Sequence, residues 1–477
     1  MSLKNKNFIL IAISLILLSF TYSHSITWQM TYPEFGNTGL FSIIQTSDKG
    51  YAGCGLSCNE NTLIVIKFDS LGNVLWNRIL YSGTGIGQSF GTTIREDENG
   101  NLVILANTEL PPDGIFAFWL LGLDKNNGDT LWQYISPNDG IVRYAEDFDF
   151  YTDGYIVATI STISSVLRIT KLNRPLTQST ERIFSAGPNS GFDIGRGFSR
   201  VKCKNDTIYI QATVFNNLGL YWTYFLKLKP NLDSVWIRRD YSSPIGGNFT
   251  FSPDSLKAVR FGTDRTLPNH QGVRIEKWNL GSGTQVELNI FPCFNGGTFG
   301  GFSVLNSSFG YVGLVGLDSN SLSYTDRIAL FFFNYNINLD TLFTKWFNAP
   351  SPYVGAVPRD FCNCSDGGYI ISASAKDYIV SNTIFLIKTD PFGNSGVYDE
   401  PRLVSFVDLI KIFPNPSRGL INFQLTNGQY GKLKIYDALG RNIKDIEIKD
   451  RIRLELPQGI YFYRLKNQTG KIVILSP

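Results

Sequence analysis

The chain is poor in charge and in histidine, and both shortages exclude classes of function. Only 17% of its 477 residues are charged, against about 25% in an average protein. Its 43 Lys and Arg residues nearly balance its 40 Asp and Glu residues, which excludes a strongly basic nucleic-acid-binding protein. With two histidines, His24 and His270, the chain offers almost no basis for Ser-His-Asp or Cys-His catalysis or a histidine-ligated metal site.

Cysteine is scarce as well. Six residues are too few for a disulfide scaffold in a chain of this length. Cys362 and Cys364 lack a second pair at zinc-ribbon spacing, which argues against a metal site. Cys54 and Cys58 flank a predicted loop, so a local disulfide between them is our hypothesis. No glycine-rich stretch opens a helix after a strand, so we expect no cofactor. The six cysteines are Cys54, Cys58, Cys203, Cys293, Cys362 and Cys364.

Aromatic residues and glycine are abundant where charge is scarce. Phe, Tyr and Trp make up 14% of the chain, and there are 45 glycines. Aromatic side chains suit pleated, half-buried surfaces, and glycine suits tight turns. This composition predicts an all-β protein with many turns.

The first 25 residues have the pattern of a signal peptide. Lys4 and Lys6 precede an apolar run from Phe8 to Leu18, and Ser23 and Ser25 are small residues suited to a cleavage site. The run of about 11 residues is short for a membrane span, which needs about 20. We therefore expect export through the Sec machinery and no permanent transmembrane segment; a single membrane anchor is the alternative.

Residues 26–396, which we call the repeat region, contain a recurring unit. A Gly-Tyr turn after one apolar strand leads to a second apolar strand, then to a turn and a tryptophan strand. Trp76 and Trp132 are 56 residues apart, and Trp132, Trp236 and Trp346 follow at about twice 53. A period of this length with four strand-like segments predicts a β-propeller.

The ends of the repeat region predict how the ring closes. The last unit stops at Asp390-Pro-Phe-Gly-Asn without a tryptophan strand, whereas residues 26–32 resemble that missing strand. The 371 residues divide into seven units of 53. We therefore predict a seven-bladed propeller whose last blade is completed by the N-terminal strand, which removes two unpaired edges. Four loops of unequal length fall between second and third strands and should share one face: 110–116, 216–221, 265–271 and 319–326.

One group of carboxylates could support chemistry. Glu146, Asp147 and Asp149 fall on a predicted inner strand, and paired carboxylates can hydrolyse glycosidic bonds. Polar residues are common at the inner strands of a propeller, and we favour that structural explanation. We therefore assign no catalytic residue, no metal ligand and no cofactor-binding residue.

A scattered tripeptide offers possible modification sites. Six copies have the form Asp, hydroxyl residue, aliphatic residue, which resembles an O-glycosylation acceptor of Bacteroidota. Asp and Ser or Thr also form turns, so turn formation is the competing explanation. The hydroxyl residues are Ser70, Thr130, Thr207, Ser234, Ser255 and Thr341.

The C-terminal residues differ from the rest in charge. Residues 402–477 contain 13 basic and 6 acidic residues, a net of +7, whereas residues 26–401 contain 28 and 34, a net of −6. This change predicts a domain boundary near residue 400. We expect a linker at 397–408 and a small antiparallel, immunoglobulin-like β-sandwich at 409–477, which we call the tail.

Three motifs in the tail resemble a known family. They are Phe413-Pro-Asn-Pro, Ile435-Tyr-Asp-Ala-Leu-Gly-Arg and Leu456-Pro-Gln-Gly-Ile-Tyr-Phe. Their order and spacing resemble the C-terminal sorting domain of the type IX secretion system of Bacteroidota. The resemblance implies export by that apparatus to the outer surface or beyond. The matching residues are Pro414, Asn415, Pro416, Tyr436, Asp437, Gly440, Arg441, Gly459, Ile460 and Tyr461.

Two classes of function remain for the repeat region. The first is a non-catalytic binding or adhesion protein for an extracellular glycan or protein, and the scarcity of histidine favours it. The second is a polysaccharide-active hydrolase or lyase on a propeller scaffold. We expect no nucleic-acid partner in either case.

Overall fold

The computed structural model contains two compact units, Met1–Asp399 and Glu400–Pro477. Almost all its regular structure is antiparallel β-sheet. Residues 1–24 of the predicted signal peptide, the linker at 397–408 and Cys293 lie outside the described residues. The structure describes residues 25–59, 61–82, 87–111, 114–152, 154–161, 166–186, 190–192, 199–216, 221–240, 245–264, 272–292, 298–318, 327–335, 341–376, 382–396, 410–413, 417–425, 431–438, 441–449, 451–465 and 468–476.

The first half of the repeat region follows a regular strand order. It opens with one strand and a short 3-10 helix at Pro33–Phe35. Three sheets of four consecutive strands follow, called sheets 1 to 3. The strands are β1 (Trp28–Tyr32); β2 (Thr38–Gln45), β3 (Tyr51–Ser57), β4 (Thr62–Phe68) and β5 (Val74–Leu80) in sheet 1; β6 (Ser89–Glu96), β7 (Leu102–Leu110), β8 (Ile115–Leu123) and β9 (Thr130–Ile135) in sheet 2; and β10 (Tyr144–Tyr151), β11 (Gly154–Ser161), β12 (Val166–Asn173) and β13 (Ser179–Ser185) in sheet 3.

The second half continues this order with two variations. Sheet 4 has an extra short strand, because β14 and β15 both pair with β16. Sheet 7 takes its fourth strand from the N-terminus. The strands are β14 (Ser190–Phe192), β15 (Ser199–Lys204), β16 (Thr207–Asn216), β17 (Tyr221–Leu228) and β18 (Ser234–Asp240) in sheet 4; β19 (Ile245–Phe251), β20 (Lys257–Asp264), β21 (Gly272–Asn279) and β22 (Gln285–Pro292) in sheet 5; β23 (Thr298–Asn306), β24 (Tyr311–Asp318), β25 (Arg327–Phe333) and β26 (Thr341–Asn348) in sheet 6; and β27 (Gly355–Asn363), β28 (Tyr369–Lys376) and β29 (Asn382–Lys388) in sheet 7.

The N-terminal strand pairs as the sequence predicts. β1 runs antiparallel to β29, with Trp28 opposite Lys388 and Tyr32 opposite Ile384. It also contacts sheet 1, because the Tyr32 hydroxyl donates to the carbonyl of Gly72 at 2.7 Å. Gly72 has φ of 85°, and a side chain there would meet the Trp28 ring. Only glycine readily adopts this conformation at so close a contact.

Apolar clusters lie between consecutive sheets. In β7, Leu102 and Ile104 belong to a cluster shared with sheet 1, whereas Val103 and Leu105 belong to one shared with sheet 3. Successive strand residues point to opposite faces, so a strand buried on both faces is apolar throughout. Corresponding clusters join sheets 3 and 4, 4 and 5, 5 and 6, 6 and 7, and 7 and 1.

The first strands of the sheets, namely β2, β6, β10, β15, β19, β23 and β27, contact one another in a cycle. Each contacts the first strand of the next sheet, and β27 contacts β2. Neighbouring first strands run parallel where their contacts fix the direction, since Asp147 and Asp149 contact Val201 and Cys203 in rising order.

The tail forms two antiparallel sheets over one core. Its first sheet has the order β30-β31-β34 and its second β33-β32-β35-β36. Ile421, Leu433 and Ile472 are among the fully buried core residues. The strands are β30 (Ile410–Phe413), β31 (Leu420–Leu425), β32 (Gly431–Asp437), β33 (Asn442–Ile448), β34 (Arg451–Glu455), β35 (Gly459–Leu465) and β36 (Gln468–Ile474).

Candidate functional site

Charged side chains on the first strands of four sheets lie close enough to affect one another's pKa. Arg95 lies on β6, Asp147 and Asp149 on β10, Lys202 on β15 and Asp360 on β27. The carboxylates of Asp147, Asp149 and Asp360 raise the pKa of Arg95, and Arg95 in turn lowers the pKa of Lys202. We call these five residues the axial cluster. They alternate along their strands with apolar residues that pack between the sheets, so they lie on the other faces of these strands.

The carboxylates of β10 tie neighbouring sheets together. Asp147 accepts from the Val201 amide at 3.0 Å and from the Thr93 hydroxyl at 3.1 Å. Asp149 accepts from the Cys203 amide at 2.7 Å. Arg95 lies 3.3 Å from Asp147 and donates to the Phe148 carbonyl at 2.7 Å. These contacts give the carboxylates a structural role, which agrees with our preferred interpretation of the sequence.

Asp360 makes the equivalent contacts between sheets 7 and 1. Its carboxylate accepts from the Ser42 hydroxyl at 2.9 Å and from the Ile43 amide at 3.3 Å. Burial raises the pKa of Asp360, and the nearby Arg200 and these hydrogen bonds only partly oppose that effect. A raised pKa means that the folded chain favours the neutral carboxyl group.

The pKa values of the two cations in the axial cluster are shifted in opposite directions. Burial alone would lower the pKa of Arg95, but the carboxylates of Asp149 and Asp147 raise it overall. Burial lowers the pKa of Lys202, and the nearby Arg95 lowers it further. The nearby carboxylates therefore outweigh the effect of burial on the pKa of Arg95, but they do not outweigh it for Lys202.

Aromatic side chains gather at one edge of sheets 2 and 3. We call the edge where the first and third strands begin the leading edge. There the rings of Phe116 and Tyr144 stack at 4.6 Å, and Phe90 lies 6.2 Å from Phe116. All three are half-buried. Glu109 is nearby and accepts from the Gln88 amide at 3.0 Å. The sequence analysis missed this group, because its members are distant in sequence and resemble ordinary strand aromatics.

The unequal loops fall between second and third strands, as predicted. Residues 110–116 join β7 to β8, and the other three loops join β16 to β17, β20 to β21 and β24 to β25. They therefore belong to leading edges. Most of their residues lie outside the described part of the chain.

The predicted O-glycosylation residues all belong to the opposite, trailing edge. Ser70 and Ser255 lie in turns, and Thr130, Thr207, Ser234 and Thr341 begin second or fourth strands. Two of the preceding aspartates serve their turns: Asp69 accepts from the Leu71 and Asn73 amides, each at 2.8 Å, and Asp254 accepts from the Leu256 amide at 3.0 Å. Turn formation thus accounts for the position of the tripeptide, and glycosylation stays a prediction.

The cysteines depart from one expectation. Cys54 is buried within β3, whereas Cys58 is exposed beyond its end. Cys54 therefore lies inside a strand rather than beside a loop, and the Cys54–Cys58 disulfide stays a prediction. Cys362 accepts from the Gln45 amide at 3.1 Å, and burial raises its pKa.

Neither a metal-binding group nor a membrane-spanning helix is found among the described residues. Among them, no group of three or more His, Cys, Asp or Glu side chains is arranged to hold a metal ion. Within the same ranges, no helix is long and apolar enough to cross a membrane.

The sorting residues of the tail divide by position. Asp437 accepts from the backbone and side chain of Arg441 at 2.9 and 2.6 Å and closes the turn after β32. Tyr461 is buried and donates to the Pro457 carbonyl at 2.9 Å. Tyr436 and Ile460 face away from the core. Pro414, Asn415, Pro416 and Gly440 lie outside the described residues.

The tail matches a known family. Residues 411–475 match the family of secretion system C-terminal sorting domains, which confirms the resemblance to type IX sorting domains. This domain indicates export by the type IX apparatus to the cell surface or the extracellular space. No curated protein matches the chain.

Solved structures resemble the repeat region distantly. A protein from Lactobacillus plantarum is 14% identical with a TM-score of 0.47, over 73% of this chain and 94% of that one. BamB from Moraxella catarrhalis is 12% identical with a TM-score of 0.39, over 73% and 85%. The α-L-arabinanase of Penicillium chrysogenum, complexed with arabinobiose, is 12% identical with a TM-score of 0.39, over 63% and 92%. These low scores carry no argument about ligand or activity.

Proposed function

We propose that the repeat region is a seven-bladed β-propeller and that the exported protein binds an extracellular glycan without catalysis. The stacked aromatic pair of Phe116 and Tyr144 at the leading edge carries the proposal. The bladed architecture, the engaged carboxylates and the location given by the tail support it.

The seven-bladed ring is supported by packing that closes on itself. Seven apolar clusters alternate with seven sheets, and the first strands contact in a cycle. The N-terminal strand completes the last blade and covers the edge of β29. A closed propeller leaves only short, protected strand edges that could pair with another chain.

A non-catalytic role is supported by the occupation of the carboxylates. Asp147 and Asp149 accept from amides of the next sheet and contact Arg95. A general acid or nucleophile must reach its substrate. These groups instead hold adjacent blades in register.

Glycan binding is supported by the composition of the aromatic group. Sugar rings present C–H groups that pack on aromatic faces, while their hydroxyls hydrogen-bond to carboxylates. Phe90, Phe116 and Tyr144 supply half-buried rings, and Glu109 supplies a carboxylate beside them. Aromatic surfaces with a few convergent polar groups are typical of small-molecule and cofactor sites.

Polysaccharide retention tests this proposal. The secreted full chain should be retained on at least one immobilised polysaccharide, and a Phe116→Ala/Tyr144→Ala variant should lose about 10-fold or more in affinity. Phe392→Ala is the matched control, since Phe392 is 40% exposed at the trailing edge of sheet 7. Unchanged retention of the double variant would refute the aromatic site. Release of soluble sugars would establish the hydrolase or lyase instead.

A further inference from the structure

The second sheet of the tail presents large apolar side chains on its outward face. In β35 the residues alternate strictly: Tyr461 and Tyr463 are buried in the core, whereas Ile460 and Phe462 are each 44% exposed. Single exposed apolar residues are normal on a protein surface, whereas a contiguous exposed apolar patch is typical of an interaction site.

These side chains form one continuous patch. Phe462 lies opposite Tyr436 on β32, and Ile460 lies opposite Val473 on β36. Directly opposed residues in antiparallel strands face the same side at about 4.5 to 5.5 Å. We call Tyr436, Ile460, Phe462 and Val473 the outward patch.

Basic residues border the outward patch. Arg464 lies opposite Lys434, and Lys471 lies opposite Phe462. On β33, Asp445 lies 3.0 Å from Lys432 and 3.9 Å from Lys434, so the acidic residues of this face are on its far side. The charge is consistent with the net of +7 for residues 402–477.

We propose that the outward patch is the surface by which the tail docks on a sorting component, a protein with an apolar recess bordered by carboxylates. The positive charge of the basic border favours a partner whose recess is bordered by negative charge. The inference rests on the sorting family of residues 411–475. It does not depend on the glycan proposed for the repeat region.

On this proposal, some residues of the sorting motifs stabilise the fold of the tail, and others form its docking surface. Asp437, Arg441 and Tyr461 fix turns and core. Tyr436 and Ile460 alternate with the core residues Ile435 and Tyr461 along their strands, and they present the patch. Sequence motifs of this kind combine fold and recognition because neighbouring strand residues face opposite sides.

The test uses the full chain expressed in a host that has the type IX apparatus. Ile460→Ser/Phe462→Ser should reduce the secreted fraction at least 10-fold, with the protein retained in the periplasm. Leu420→Ser is the matched control, because Leu420 is 41% exposed on the other sheet of the tail. It should be secreted normally, and a variant lacking residues 411–477 sets the level of no sorting.

A second variant guards against misfolding. Arg464→Glu/Lys471→Glu reverses the border charge without touching the core and should lower secretion by a similar factor. If Ile460→Ser/Phe462→Ser has a lower melting temperature than the wild type, its loss of secretion could come from misfolding. The secretion of the charge variant then tests the proposal by itself. Normal secretion of the deciding variant overturns the proposal. So does binding of the wild-type protein to anionic phospholipid vesicles that the charge variant has lost, because the surface would then recognise lipid.

Discussion

The repeat region and the tail are both antiparallel β-structure, yet they use their sheets differently. In the repeat region each middle strand is buried on both faces, as in β4, where every residue is buried. In the tail, β35 alternates between buried and exposed residues. A sheet packed between two neighbours needs apolar residues throughout, whereas a sheet in a two-layer sandwich needs them at every second position. Ile460 and Phe462 of β35 are therefore exposed, whereas β4 has no exposed residue.

The two regions also differ in how they treat buried charge. In the repeat region Arg260 and Glu276 are fully buried and lie 3.3 Å apart, with the Arg260 guanidinium 5.2 Å from the Trp278 ring centroid. In the tail, the ion pair of Lys432 and Asp445 is at the surface. Buried pairs need complete sets of partners, and surface pairs contribute little.

The largest expected effect comes from removing the N-terminal strand. A mature chain lacking residues 26–32 should lose cooperative unfolding of the repeat region, because β29 would become an unpaired edge and the cluster around Trp28 would open. The transition of the tail should be unchanged. Scanning calorimetry measures both transitions. An unaltered melting temperature of the repeat region would contradict closure by β1.

The next effect concerns the buried ion pair. Arg260→Ala should reduce the free energy of unfolding by about 1 to 3 kcal/mol, because the buried Glu276 loses one of its two cations and keeps only Arg274 and the Trp278 indole as partners. Urea titration followed by tryptophan fluorescence measures it. Arg78→Ala is the matched control: its pair with Asp129 at 3.3 Å is exposed, so about 1 kcal/mol or less is expected. Equal losses in both variants would contradict the distinction.

The smallest expected effect is a pH-dependent change in melting temperature caused by a residue of the axial cluster. Burial raises the pKa of Asp360, so its ionisation costs stability once the pH exceeds the unfolded-state pKa. Asp360→Asn should therefore raise the melting temperature at pH 7 and leave it unchanged near pH 3, where both side chains are neutral.

Asp139 supplies a control of opposite sign. Its hydrogen bond with Arg143 lowers its pKa, so it adds stability above the unfolded-state pKa, and that stability is lost as the pH falls through the folded-state pKa. Asp139→Asn should lower the melting temperature at pH 7. A fall for Asp360→Asn at pH 7 would contradict the assigned sign.

The sequence by itself determined the all-β class, the pairing of β1 with β29 and the sorting family of the tail. These features depend on local patterns: strand periodicity, a repeat of about 53 residues and motifs of adjacent residues. A missing tryptophan strand at one end and a matching strand at the other were enough to predict the pairing.

Only the tertiary structure decided which side chains meet. Arg95, Asp147, Lys202 and Asp360 come from four sheets, and no sequence spacing predicts their convergence. The same holds for Phe90, Phe116 and Tyr144. The sequence also placed Cys54 beside a loop, whereas the structure places it within β3. Sequence periodicity fixes which face a residue takes, but packing between sheets fixes its neighbours.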